Sequence, residues 1–119
     1  MIIWIGLAGA LGAVLRYSLG KWVSGLIGTS FPWGTWMINI SGSLLLGLLY
    51  GGHQAAMLSD GLWVIWGTGF CGAYTTFSTF GYETLGLMGQ QRYARAALYV
   101  ISSVVVGVLA SVVGVWLTA

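Results

Sequence analysis

The sequence predicts an all-α integral membrane protein of four transmembrane helices, the third of them broken, in a single domain over residues 1–119. Three observations carry that expectation. Hydrophobic residues make up 58% of the chain and charged residues only 5%, against about 25% charged in soluble domains. The mean hydropathy is +0.92. Within the third apolar stretch lies Gly72-Ala73-Tyr74-Thr75-Thr76-Phe77-Ser78-Thr79-Phe80-Gly81, which sets hydroxyls and phenylalanines between glycines. Lipid satisfies neither loose backbone groups nor stray hydroxyls, so irregular polar chain at membrane depth belongs where protein buries it or where it lines a polar cavity. At about 1.5 Å per residue, roughly 20 residues cross a hydrocarbon core about 30 Å thick. The 119 residues therefore have room for four spans with short loops and for no separate soluble domain.

Span one runs from about Ile2 to Gly25. Gly6/Ala10, Gly9/Ala13 and Gly12 give it a face of small residues that lets another helix approach closely. It lacks a preceding basic segment and carries Arg16 inside, so it reads as a retained span and not as a cleavable signal. An arginine at mid-span costs about 2.5–3.5 kcal/mol even on mild insertion scales, so Arg16 should face protein or water, or snorkel to an interface. The linker Gly28-Thr29-Ser30-Phe31-Pro32-Trp33 holds the only proline, whose missing N–H is harmless at a helix start.

Span two runs from about Trp33 to Gly52. Thr35, Asn39 and Ser43 recur every four residues and share one stripe, with Gly42 beside it. Interhelical hydrogen bonding, at about 0.6 kcal/mol per contact, is the plain account of that stripe. A polar pathway is the functional one. The next linker holds His53, Gln54, Ser59 and Asp60, both titratable groups expected to be solvated and His53 without a nearby base or metal partner. Span three, Gly61 to about Met88, exceeds the length a crossing needs, which argues for two half-helices around a break.

Glu83 follows that break by one turn. An intramembrane carboxylate is a functional-site candidate, with pairing to a basic residue as the structural alternative. After the Gln90-Gln91-Arg92 loop, span four covers about Tyr93 to Leu117 and repeats the polar stripe in Tyr99, Ser103, Gly107 and Ser111. Trp4, Trp22, Trp33, Trp63 and Trp116 lie toward span ends, as interfacial anchors do.

Charge and composition exclude other classes. The net charge of +2 comes from Arg16, Lys21, Arg92 and Arg95 against Asp60 and Glu83. No basic run exists to neutralise several phosphates, so nucleic-acid binding is excluded. The lone Cys71 and single His53 form neither an intramolecular disulfide nor a metal cluster. Lys21, Arg92 and Arg95 fall on the side opposite the termini, a bias that favours one orientation with the termini outside. The composition suits the inner membrane of a prokaryote, crossed several times.

The intramembrane polar groups are mostly neutral donors: the hydroxyls of Thr35, Ser43, Thr75, Thr76, Ser78, Thr79, Tyr99 and Ser103, and the amide of Asn39. Donors suit a small hydrated anion, which must exchange its water shell for groups that do not hold it too tightly. Phe77 and Phe80 add rings whose edges are positive, although core packing is the commoner role of such a pair. A broken helix also leaves carbonyls free at the end of its first half, near Gly72 and Thr75, where a small hard cation could bind. Spacing alone does not choose the ion.

Taken together, these segments resemble the small bacterial fluoride channels of the Fluc/CrcB family, through all four spans. The resemblance rests on Gly9-x-x-Gly12-Ala13-x-x-Arg16-Tyr17, on Thr35-x-x-x-Asn39-x-x-Gly42-Ser43, on Gly69-x-x-Gly72-x-x-Thr75-Thr76-Phe77-Ser78-Thr79-Phe80 with Glu83, and on Tyr99 with Ser103. It implies an antiparallel, dual-topology homodimer in the lipid bilayer with two fluoride pores and a structural sodium ion at the dimer centre. Carried over by motif, backbone carbonyls of Gly72 and Thr75 would hold the sodium. Phe77 and Phe80 would line the fluoride path, Asn39 would be its amide, and Tyr99, Ser103 and Thr79 its hydroxyl track, with Ser43 and Thr35 on the same pore-facing stripe. Arg16 would match the basic residue of a pore vestibule and Glu83 the acidic residue near the pore. The chain departs from the family's pattern at Ala73-Tyr74, Gly81 and Trp36, none of which removes a proposed contact group.

The resemblance thus implies passive fluoride export conferring fluoride resistance, and no enzyme. The alternative is a small multidrug exporter, similar in length and helix number, which works by proton exchange through a carboxylate in span one; span one here has none. A packing subunit without transport would explain the small-residue faces but not the polar third span.

Overall fold

The computed structural model describes residues 1–28 and 30–119. Thr29, in the first linker, lies outside the described residues. Helix α1 covers Ile2–Ile27 and α2 covers Trp33–Gln54. A continuous helical run over residues 60–74 follows, made of α3 (Asp60–Trp63), a π-helical segment (Val64–Cys71) and α4 (Gly72–Tyr74). Helices α5 (Phe77–Gly89) and α6 (Tyr93–Thr118) complete the chain. No strand occurs among the described residues.

Local chemistry explains the ends. Gly28 stops α1 at φ 92°, with its N–H on Ser24 O at 2.9 Å, a backbone conformation glycine adopts without strain. Pro32 precedes α2. The Ser59 hydroxyl accepts from Leu62 N at 3.2 Å and caps α3. Thr75 (ψ 155°) and Thr76 (φ −144°) are extended, and the Thr76 hydroxyl accepts from Thr79 N at 3.1 Å, capping α5.

Helices α1 and α6, of 26 residues each with mean hydropathies of 1.6 and 2.4, are each long and apolar enough to cross a membrane. The molecule measures 48 Å along its longest axis, close to the roughly 40–45 Å of a bilayer with its headgroups. Large apolar side chains lie exposed along α1 and α6, from Ile2 and Leu7 to Val108 and Trp116. Contiguous apolar surface on this scale needs lipid or protein against it.

The most extensive helix pair is α2 with α6. A Cβ on Gly114 would lie 2.6 Å from Leu44 O and 2.7 Å from Leu48 N, and one on Gly47 would collide with the Ser111 backbone. These glycines bring two backbones into contact, as small residues do between membrane helices. Thr118 and Ser111 hydroxyls add cross-helix bonds to Leu48 O (2.9 Å) and Ser43 O (3.3 Å).

Helix α1 lays its small-residue face against the π-helical segment. Gly12 meets the Phe70 carbonyl, and a Cβ on Gly69 would lie 2.8 Å from Ile5 O. One buried cluster joins Ala8, Ile38, Phe70, Cys71 and Tyr74; a second joins Leu87, Ala96 and Tyr99, with Phe31, Trp36 and Phe80 packed on it. Helix α5 packs chiefly on α6. Its other face leaves Phe77 85% and Tyr82 79% exposed.

Ahead of the extended residues of the third span, Val64–Cys71 is π-helical, a detail on which the sequence is silent. One sequence expectation needs correction: His53 does not lack a partner. Its Nε2 lies 2.7 Å from Asp60 Oδ1, and its ring stacks on Trp63 at 5.5 Å between centroids. The turn at residues 55–58 brings Asp60 back over the end of α2, a folding-back that a seven-residue separation conceals.

Candidate ion pathway

The site is organised around the two extended residues Thr75 and Thr76. Asn39, in the second turn of α2, faces them with its amide: Nδ2 donates to Thr76 O at 3.0 Å and Thr76 N–H donates to Oδ1 at 2.9 Å. One side chain therefore satisfies both backbone groups of a residue outside any helix, which membrane depth demands. The reciprocal pattern also fixes which amide atom is oxygen. Gly42, one turn on, leaves room for the Thr75 methyl and the Tyr74 ring, both of which a Cβ there would strike.

Arg16 braces the other side. Its Nε donates to Ala73 O at 3.1 Å, so a cation sits at the carbonyl end of the 60–74 helical run, where the helix dipole favours positive charge. The arginine faces protein, as its insertion cost requires. Cys71 O accepts from both Thr75 N (3.0 Å) and the Thr75 hydroxyl (2.8 Å). Gly72 O differs. The Thr76 N–H that would close onto it in a continued helix is committed to Asn39, and Gly72 is exposed, with nothing within 4 Å of a Cβ placed there.

A groove of about 390 Å³ runs beside these residues and brings together Asn39, Ser43, Thr75, Phe77, Phe80 and Ser103, with Gly72 at its margin. Ser103 Oγ is buried there without a hydrogen-bond partner among the described residues. The Ser43 hydroxyl donates to Asn39 O at 2.8 Å. Thr79 does not line this groove; its hydroxyl accepts from Thr76 Oγ1 at 3.2 Å, leaving its own hydrogen uncommitted. The Phe77 and Phe80 rings lie 6.0 Å apart, tilted by 38°.

Phe80 also contacts Tyr99, at 4.9 Å between centroids. Tyr99 is fully buried, and its hydroxyl donates to Glu83 Oε1 at 3.2 Å. Glu83 thus meets a phenol and not a basic residue. On that side a second cavity, of about 630 Å³, holds Thr35 and Glu83. Phe80 lines the first groove only, and Tyr99 lines neither cavity. Arg16 lines neither.

Sequence reasoning did not single out Ala73, whose carbonyl takes the arginine, or the Ser41 hydroxyl bonded to Tyr74 OH at 2.9 Å. Residue type gave no signal for a backbone carbonyl. Ser41 lies off the four-residue stripe.

A helical protein with a largely apolar surface, whose polar side chains converge on non-helical backbone between its helices, has the architecture of a helical membrane protein. Residues 3–115 match the family model described as "CrcB-like protein, Camphor Resistance (CrcB)". A protein named fluoride-specific ion channel FluC from Acidobacterium capsulatum is 46% identical over 116 residues, covering 97% of this chain and 90% of the relative. Fluoride-specific ion channel FluC 2 of Rhodococcus jostii is 42% identical, covering 99% and 98%. FluC 1 of Streptomyces avermitilis is 47% identical, covering 92% and 90%. The chain belongs to the CrcB family, whose members named here are ion channels and not enzymes.

Proposed function

We propose that this protein is a fluoride-selective channel that lets fluoride leave the cell passively across the bacterial inner membrane. One observation carries the reading: the partnerless Ser103 hydroxyl lines the same groove as the Asn39 amide and the two phenylalanines. A buried hydroxyl with no acceptor is poorly satisfied alone, and an anion is the partner a donor lacks. Asn39 retains a second N–H, since only one is used on Thr76. Thr79 keeps its hydroxyl hydrogen. A small anion passing the Ser103 and Asn39 donors and the positive ring edges would exchange its hydration shell stepwise without meeting a tight cationic trap.

In this reading the chain crosses the bilayer four times as one domain and pairs with an antiparallel second copy, giving two pores. The exposed groove and the uncovered α5 face at Phe77 and Tyr82 support a partner there. Gly72 O fits the proposed sodium site: its helical donor is diverted, its surroundings are open, and a neutral carbonyl oxygen is a suitable ligand for a hard cation. Gly72 and Thr75 carbonyls from both copies would hold the ion, which would supply fixed positive charge to the pairing surface.

Liposomes carrying the purified protein test the function. A fluoride electrode should record rapid release while chloride is retained, and equal release of both ions would refute selectivity.

A further inference from the structure

A third cavity lies on the outer side of α5 and α6, away from the ion pathway. It measures about 330 Å³ and is lined by Thr84, Met88, Tyr93, Ala97, Val100 and Ile101. The Thr84 hydroxyl is already spent on Phe80 O at 2.8 Å, so the groove offers an occupant almost nothing but hydrocarbon. Ala96, 5% exposed, helps form its floor. Arg92, the exposed N-cap of α6, directly precedes the lining residue Tyr93.

Arg92 has no ion-pair partner among the described residues. The only ion pair among the described residues joins His53 to Asp60, and the other carboxylate, Glu83, takes the Tyr99 hydroxyl. Tyr93, beside Arg92 and 60% exposed, is of the type that sits at headgroup level. The charge is therefore complementary to an anion at the membrane surface, one residue along the chain from an apolar slot.

We propose that this groove seats one acyl chain of an anionic phospholipid whose phosphate headgroup is held by Arg92. Native mass spectrometry of the full chain in detergent, titrated with phosphatidylglycerol or with phosphatidylcholine of the same chains, tests it. Phosphatidylglycerol should be retained about fivefold more strongly, the worth of one surface arginine. Arg92→Gln should erase that preference while phosphatidylcholine binding persists, which also shows the variant is folded. Ala97→Phe, at an exposed position that tolerates bulk, should weaken both lipids. Equal retention of the two lipids by the unaltered protein would overturn the proposal, as would a preference that survives Arg92→Gln. So would displacement of phosphatidylglycerol by equimolar inorganic phosphate, which would make the site a headgroup site alone. Retention that Ala97→Phe leaves unchanged would place the lipid elsewhere, or show that a second copy fills the groove. None of these readings depends on which ion the protein conducts.

Discussion

Replacing Asn39 by alanine removes two hydrogen bonds at once, from Nδ2 to Thr76 O and from Thr76 N to Oδ1. No neighbouring side chain bonds either group, and Thr76 is half-buried. At about 0.6 kcal/mol per contact in measured membrane proteins the pair is worth about 1.2 kcal/mol, and leaving both backbone groups unsatisfied raises the loss toward about 4 kcal/mol. Asn39→Asp separates the contributions. An ionised carboxylate still accepts from Thr76 N–H but turns an oxygen toward Thr76 O, so one bond survives, one becomes repulsive, and negative charge enters an anion's path. Thermal unfolding in detergent and fluoride efflux from liposomes should be read together. Alanine is expected to lower stability by about 1–4 kcal/mol with loss of flux, and aspartate to abolish flux. Should Asn39→Ala retain both wild-type stability and wild-type efflux, the amide does not brace Thr76 and the account of the site fails.

Ser103→Ala should behave in the opposite way. Its hydroxyl has no partner among the described residues, so stability measured by thermal melting stays within about 0.5 kcal/mol while fluoride efflux falls, and unchanged efflux would remove Ser103 from the path. Phe77→Ile should impair efflux and leave the dimer intact by native mass spectrometry, since it removes the ring but keeps an apolar side chain on the exposed face proposed to meet the second copy. Gly12→Val should destabilise by about 1–3 kcal/mol through overpacking, because its side chain would strike the Phe70 carbonyl, whereas Gly6→Val, with nothing within 4 Å, should be neutral in the same melt.

The helix limits were legible because composition changes sharply at them. Spans one, two and four were read from Ile2, Trp33 and Tyr93 and end within two residues of Ile27, Gln54 and Thr118. Small residues on α1 were legible as a packing face, and Gly12 is where that face closes on Phe70. The π-helical segment was not legible. It adds a residue to each turn without changing composition, and a search for helical periodicity over Val64–Cys71 sees only a greasy run. What holds Thr76 extended was equally hidden. Asn39 stood out for its amide on an apolar helix, but the backbone it binds lies 37 positions away, and Arg16 reaches Ala73 O across 57. Such pairings leave no local pattern, because a carbonyl oxygen is the same in every residue.

Counting donors shows why so many hydroxyls gather at this depth. Thr75 donates back to Cys71 O, Ser43 to Asn39 O and Thr76 to Thr79 Oγ1. Each spends its hydrogen on the protein and leaves only acceptor lone pairs outward, which repel an anion. Ser103, Thr79 and the second Asn39 N–H keep theirs. A stripe that reads in sequence as uniform polarity is thus divided between groups that secure irregular backbone against lipid and groups that remain able to donate. The division follows from position: a Ser or Thr inside a helix finds the carbonyl one turn back, while Ser103 does not close onto its own helix. Substituting alanine along the stripe should therefore split into two classes, a loss of stability at Thr75 and Thr76 and a loss of flux without loss of stability at Ser103. A series in which flux and stability fall in proportion at all three positions would mean that the hydroxyls serve only to hold the helices together.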